Sequence, residues 1–112
     1  MTLKVGEQHL NIGGVAHGGV YSIMLDMALG GALLSVMPVE EWCATTMLNI
    51  SFIAAAKEGT ELIANGRLVK RGKNVAHLEG EILNDEGIVF ATAKGTWAIW
   101  NHRPSSMGLN LE

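Results

Sequence analysis

Residues 20–37, VYSIMLDMALGGALLSVM, are the one stretch of this chain that is apolar from end to end, with a lone carboxylate, Asp26, near its middle. A helix this greasy must be covered on most of its sides. The stretch is at the short end of the roughly 17–25 residues that cross a bilayer, and a charge at mid-depth would be expensive there. No Lys or Arg flanks it to orient a span. It reads as a helix packed inside a globular protein, with no membrane partner. Pro38 predicts its stop, because proline disfavours helical backbone in the residue before it.

The rest of the chain must supply that cover from few residues. The 112 residues are 48% hydrophobic but only 5% aromatic, apolar enough to offset the entropy of ordering and exclude disorder. They make one domain, residues 1–112, with 101–112 expected to be a loose tail. Cys43 is the only cysteine, which excludes a disulfide scaffold. A net charge of −3 argues against a nucleic-acid partner. A chain of this size hides about two-thirds of its unfolded surface, so the apolar surplus is expected to continue into a second subunit. No N-terminal succession reads as a signal peptide, and the default compartment is the cytoplasm.

The covering elements read as strands. Residues 42–56 place Thr46, Leu48, Ile50 and Phe52 on one face and Thr45, Met47, Asn49 and Ser51 on the other. Residues 61–70 follow the Lys57-Glu58-Gly59 turn, with Leu62, Ala64 and Leu68 among the apolar positions. Residues 74–83 set Val75, His77, Glu79 and Glu81 against Ala76, Leu78 and Ile82. Asn84-Asp85-Glu86-Gly87 is a hairpin turn by composition, and residues 88–100 close the set. With a short strand in residues 1–10, the order is strand, helix, then four strands. Consecutive hairpins predict an antiparallel meander, an α+β fold with the sheet curved around the helix.

Chemistry concentrates just ahead of the helix, in NIGGVAHGG (residues 11–19). Gly18 and Gly19 fall where the helix begins, and a helix N-terminus offers unpaired N–H groups and a positive dipole end. Glycines let a carbonyl approach those groups, as in an oxyanion hole; a merely flexible turn is the structural alternative. Gly18, Ser22, Asp26 and Gly30 repeat at i+4 and form one small, polar stripe. Asp26 in such surroundings suits a general base or nucleophile, or alternatively a structural hydrogen-bond acceptor. Gly18 and Asp26 lie about 12 Å apart along one helix. One copy therefore cannot hold a carbonyl at Gly18 and attack it with its own Asp26, whereas two antiparallel helices across a two-fold axis can.

Other motifs are weaker. His9, His17, His77 and His102 show no metal-ligand spacing, and no metal is expected. Cys43 reads as a small buried residue. Lys70, Arg71 and Lys73 form a basic turn, either simply solvated or facing the phosphates of a nucleotide-bearing substrate.

The motif N-x-G-x-x-H-G-G followed by Asp26, with TTMLNISF, EGTELIANGRLVKRGK and ATAKGTW, resembles the hotdog-fold acyl-CoA thioesterases. The nearest branch is the phenylacetate-pathway and 4-hydroxybenzoyl-CoA type. The resemblance runs from about Leu10 to Trp100. It implies a five-stranded antiparallel sheet around one central helix, dimers joined sheet edge to sheet edge, possible tetramers, thioesters of coenzyme A or acyl carrier protein as substrates, and no cofactor. It assigns Asp26 to activating water or attacking the carbonyl, and Gly18 to polarising that carbonyl. It sets Asn11 to hold carbonyl or water, and Thr45, or equally Thr46, to orient the water. His17 shapes the loop. Apart from the resemblance, the residues themselves suggest a substrate-binding set of His17, Gly19, Ser22, Gly30, Thr46, Lys70, Arg71 and Lys73, with an acyl tail beside the Ser22–Asp26–Gly30 stripe.

Two departures stand out. The stretch before the motif is shorter than in relatives. Ile53-Ala54-Ala55-Ala56 also replaces the arginine and proline common after the second strand. They leave room for a non-catalytic acyl-CoA binder as the alternative function. A dehydratase would need a catalytic histidine paired with an acid, and His17 is not placed for that.

Overall fold

The computed structural model describes residues 1–105. Five strands and one long helix account for most of them: β1 (Thr2–Lys4), α1 (Gly18–Leu34), β2 (Trp42–Phe52), β3 (Glu61–Arg71), β4 (Val75–Leu83) and β5 (Val89–Trp100), with a 3-10 turn at Glu7–His9. All pairings are antiparallel, and the sheet order is β1-β3-β4-β5-β2. Of the expected tail, residues 101–105 carry no strand, and residues 106–112 lie outside the described part.

The helix is seated on the sheet by its i+4 row. Tyr21, Leu25, Leu29 and Leu33 are buried, Met24 beside them, against Leu62, Ala64, Ala76, Leu78, Ile82, Trp97 and Ile99. Burial of this kind contributes roughly 1.5–3 kcal/mol for each large apolar side chain. Beneath the helix, the sheet carries a row of small residues. Gly66 pairs with Gly80, and Gly80 with Ala93. A Cβ on Gly66 would sit 2.6 Å from the Ala28 carbonyl oxygen and 2.9 Å from the Leu29 Cα. A Cβ on Gly80 would collide with the Asn65 carbonyl and Leu29 Cδ1. Close approach of the helix backbone to the sheet is possible only because Gly66 lacks a side chain, and Gly80 leaves room for the Leu29 side chain beside it.

The meander expectation holds for β3, β4 and β5 and fails for β2. That strand lies at the opposite edge, paired with β5 from Trp42↔Trp100 to Phe52↔Ala91. Residues 53–60 therefore cross over instead of turning tightly. The crossing is tied down on the way: Ile53 and Ala54 N–H bond to the Phe90 carbonyl, Ala16 N–H to the Ala56 carbonyl at 2.8 Å, and Gly59 N–H to the Val5 carbonyl at 2.7 Å. A hairpin between β2 and β3 would leave β5 without its partner, a non-local choice that turn composition does not encode.

Two local differences also have physical causes. The helix ends at Leu34, ahead of Pro38. Val36 and Met37 N–H groups reach back three residues to Leu33 and Leu34, tightening the last turn. In β2 a bulge falls between Thr45 and Met47. Thr45 opposes the inward Trp97, Met47 the outward Thr96, and Leu48 the inward Gly95. Thr45 and Leu48 consequently share the helix face, which strict alternation forbids.

Beyond the C-terminal end of α1, a latch joins the segment leading into β2 to the end of β3. Arg71 grips both carboxylate oxygens of Glu41 at 2.6 Å, two side chains no more than 26% exposed. Its guanidinium holds the Glu41 carboxyl below its ordinary range, chiefly through that hydrogen bond. Since the folded value lies below the unfolded one, the pair stabilises the fold above the usual carboxylate range and fades as pH falls through the folded value. Glu41→Gln should lower the thermal midpoint at pH 7 and converge with the parent in acid; a gap that does not change with pH would contradict this. Gly66→Ala should cost about 1–3 kcal/mol through overpacking, read from chemical denaturation, and an unchanged midpoint would show that the helix can lift at no cost.

Candidate active site

The N-terminus of α1 is built by its own loop. Asn11 Oδ1 accepts from Gly13 N–H at 2.9 Å and from Val15 N–H at 3.3 Å, and Asn11 N–H bonds to the Val15 carbonyl at 2.7 Å. This closed turn delivers His17 to the cap position. There its Nδ1 accepts from Gly19 N–H at 3.0 Å, and its carbonyl takes Val20 N–H. A Cβ on Gly19 would lie 2.6 Å from the His17 ring, so the cap requires glycine next to it. Gly18 is left exposed, and among the described residues its N–H has no partner.

One stripe of the helix faces β2 as that strand runs antiparallel beside it. At its start Gly18 meets Phe52, where a Cβ would come to 3.1 Å from the ring. In the middle the Thr45 hydroxyl donates to Asp26 Oδ1 at 2.6 Å. Further on, Gly30 lies against Trp97, with 3.4 Å from a built Cβ to the indole nitrogen. Ser22 donates to the Gly18 carbonyl at 3.2 Å. Asp26 is half-buried, not deeply buried as its apolar neighbours suggest, because the stripe opens along the free edge of the sheet. A half-exposed carboxylate with one oxygen fixed by a hydroxyl keeps its second oxygen for a ligand or water.

Thr46 does not join this group. As the bulged residue it turns away, its hydroxyl 3.0 Å from the Thr96 carbonyl and 2.8 Å from the Thr96 hydroxyl. The bulge, invisible in the alternating pattern, decides between the two threonines. The basic turn is also split: Lys70 and Lys73 are exposed, while Arg71 is committed to Glu41. This turn lies at the opposite end of α1 from Gly18. Burial pushes the Cys43 thiol above its ordinary range, which keeps it protonated and unsuited to nucleophilic attack. Among the described residues no three His, Cys, Asp or Glu side chains gather where they could hold a metal ion, and no helix is long and apolar enough to cross a membrane.

The sequence pattern did not single out Tyr21 and Phe52 for this site. The Tyr21 ring is buried and stacks on Phe52 with centroids 6.0 Å apart, and its hydroxyl donates to the Ala54 carbonyl at 2.8 Å. Burial pushes this phenol above its ordinary range, so the hydroxyl stays a donor at neutral pH. Together with Ala16, Gly18, Ile53 and the small Ala54 and Ala55, the two rings bound a pocket of about 290 Å³ at the helix N-terminus. Only the i+3 relation of Tyr21 to Gly18 was available in the sequence to point to it.

With this geometry in view, comparison with known proteins identifies the family. Residues 13–91 match the thioesterase superfamily, and the chain belongs to it. A solved Bacillus halodurans protein with CoA superposes with a TM-score of 0.84 at 26% identity, covering 88% of this chain and 69% of the other. The E. coli PaaI protein from the phenylacetic acid degradation operon superposes at 0.80 with 25% identity, covering 87% and 68%. These neighbours share the hotdog fold, a helix on a curled five-stranded antiparallel sheet. Acyl-coenzyme A thioesterase 13 of Mus musculus is 30% identical over 82 residues, 73% of this chain but only 58% of the mouse protein.

Tyr21→Phe should remove the bond that ties the crossover to the helix at a cost of about 1 kcal/mol. Urea unfolding measures this, and an unshifted midpoint would mean that the Phe52 stack alone holds residues 53–56.

Proposed function

We propose that this chain hydrolyses an acyl-CoA thioester at a site shared by two copies. The observation that carries the proposal is one helix bearing at its start an exposed Gly18 N–H without a partner among the described residues and, eight residues on, a carboxylate oriented by Thr45. The two groups complement the two ends of a thioester hydrolysis, yet about 12 Å of helix separates them. A two-fold axis with antiparallel helices sets Gly18 of one copy opposite the partner's Asp26.

Two further features support the second copy. β2 is an eleven-residue strand at the edge of the sheet, its outer side without a strand partner among the described residues, and long bare edges invite strand pairing. Next to the polar stripe, Ile23 and Met27 are 61% and 59% exposed, an apolar surface that monomers normally cover. An isologous contact along β2 and α1 would bury both at once.

In this mechanism the thioester carbonyl accepts from Gly18 N–H, strengthened by the helix dipole. Asp26 takes a proton from water, and the resulting hydroxide adds to the carbonyl carbon. Negative charge gathers on the oxygen at Gly18. The C–S bond then breaks, the electron pair leaves with sulfur, and the proton on Asp26 neutralises the thiolate. In the alternative route Asp26 attacks directly, and water hydrolyses the mixed anhydride. Thr45 fixes the carboxylate in either route. Asn11, whose carbonyl oxygen is spent on the turn, contributes its side-chain N–H group.

The CoA bound to the Bacillus halodurans neighbour and the name of the mouse relative support CoA as the carrier. Asp26→Asn should reduce thiol release across a panel of acyl-CoAs by about 10²–10⁴, while the protein stays folded and oligomeric. Turnover like that of the parent would remove Asp26 from the chemistry.

A further inference from the structure

The alanines that follow β2 are a run that the mechanism leaves unused, and their places differ. Ala56 is fully buried in the core, whereas Ala54 is half-buried and Ala55 exposed, both bordering the pocket of about 290 Å³ beside Gly18. Their backbone is pinned from two sides. Ala54 N–H bonds to the Phe90 carbonyl at 3.1 Å, and the Ala54 carbonyl accepts from the Tyr21 hydroxyl at 2.8 Å. The Ala56 carbonyl accepts from Ala16 N–H at 2.8 Å. With the segment held in this way, side-chain size at positions 54 and 55 sets how much room stays open. A long side chain there would occupy the space, and an arginine would also bring a charge.

The lining is apolar in its chemistry. No charged side chain borders the pocket, and the polar side-chain atom that Tyr21 brings is already donated to Ala54. The Ala16, Ile53 and Ala54 N–H groups are bonded within the fold. Phe52 contributes a ring that is 57% exposed and backed by Tyr21. A thioester whose carbonyl is held at Gly18 has two arms that could enter here. The pantetheine arm carries amides, whose hydrogen bonds this lining would leave unmade. An apolar acyl arm loses none and covers the exposed face of Phe52. The volume is close to the lower end of the roughly 300–1,000 Å³ of small-molecule sites, which suits a short chain better than a long one. We infer that this pocket takes the acyl group, that the group is compact and carries no hydroxyl, and that Ala54 and Ala55 determine this specificity. The acyl arm then lies on Phe52 and not along the stripe, where Ser22, Asp26 and Thr45 would set it among polar groups. The inference rests on the thioesterase reading and names its substrate class.

The experiment compares the full chain with Ala55→Leu and Ala55→Ser on acetyl-CoA, hexanoyl-CoA and 6-hydroxyhexanoyl-CoA. In the parent, kcat/KM should be about tenfold higher for hexanoyl-CoA than for its hydroxylated analogue, whose hydroxyl finds no free side-chain partner. Ala55→Leu, at an exposed position, should lower the hexanoyl-to-acetyl ratio of kcat/KM about tenfold by filling the pocket. Ala55→Ser adds a hydroxyl at nearly unchanged size and should narrow the gap between hexanoyl-CoA and its hydroxylated analogue. Damage to the fold would lower all substrates alike and leave these ratios at the parent values. A hexanoyl-to-acetyl ratio unchanged in Ala55→Leu, or a parent indifferent to the hydroxyl, overturns the inference. Failure of the parent to release thiol from any thioester instead overturns the hydrolase reading. Calorimetry then decides the pocket: hexanoyl-CoA should bind more tightly than CoA in the parent, and lose that advantage in Ala55→Leu.

Discussion

The contact on which everything else depends is the seat of α1 against the glycine pair Gly66–Gly80. At Gly66 helix backbone lies on strand backbone, and at Gly80 the Leu29 side chain and the Asn65 carbonyl fill the place, with room for no methyl group on either strand. That closeness fixes both the height and the rotation of the helix. Leu25, Leu29 and Leu33 are then directed into the sheet, and the stripe through Gly18, Ser22 and Asp26 must emerge along β2. A helix held further out by a side chain would still bury its leucines. It would no longer bring Asp26 within hydrogen-bonding distance of Thr45. The chemistry of the site is thus a consequence of how two glycines let a sheet and a helix touch.

The same seat explains what the fold leaves uncovered. A curved sheet can wrap only one side of a cylinder, and α1 is apolar on more than one side. Ile23 and Met27 remain in solvent next to the open edge of β2. Charge is handled differently on the outer sheet face, where Arg67 bridges Glu79 and Glu81 and Lys94 pairs in register with Glu79. That face is already satisfied by exposed ion pairs, each worth little for stability. Beside the stripe, by contrast, the exposed surface of Ile23 and Met27 is apolar. It is there that the proposed mechanism places a second copy.

Much of this was legible from the residues, and the misses share a cause. Alternation in β4 and the Asn84–Gly87 turn are local, and both stand as read, Asn84 Oδ1 accepting from Glu86 and Ile88 N–H and Gly87 adopting φ +82°. The His-Gly-Gly start of the helix is local too. The place of β2 is not, since it depends on which of two distant strands offers an edge. The bulge at Thr45–Met47 reverses the phase of one strand in a way that a period of two cannot anticipate. The Glu41–Arg71 pair joins residues thirty apart in sequence, so the basic turn reads as three equivalent cations although Arg71 is committed to Glu41. The aromatic wall of Tyr21 and Phe52 likewise needs the fold before it exists.

The central claim is that Gly18 and Asp26 act on one thioester from different copies. Mixing two inactive variants tests it most directly. Asp26→Asn removes the carboxylate, and Gly18→Pro removes the N–H at a first helical position where proline is tolerated. Co-refolded in equal amounts, the two should regain about a quarter of parental thiol release, because half of the dimers are mixed and each mixed dimer holds one intact site. A mixture as inactive as its components, with mixed dimers demonstrably formed, would contradict the account.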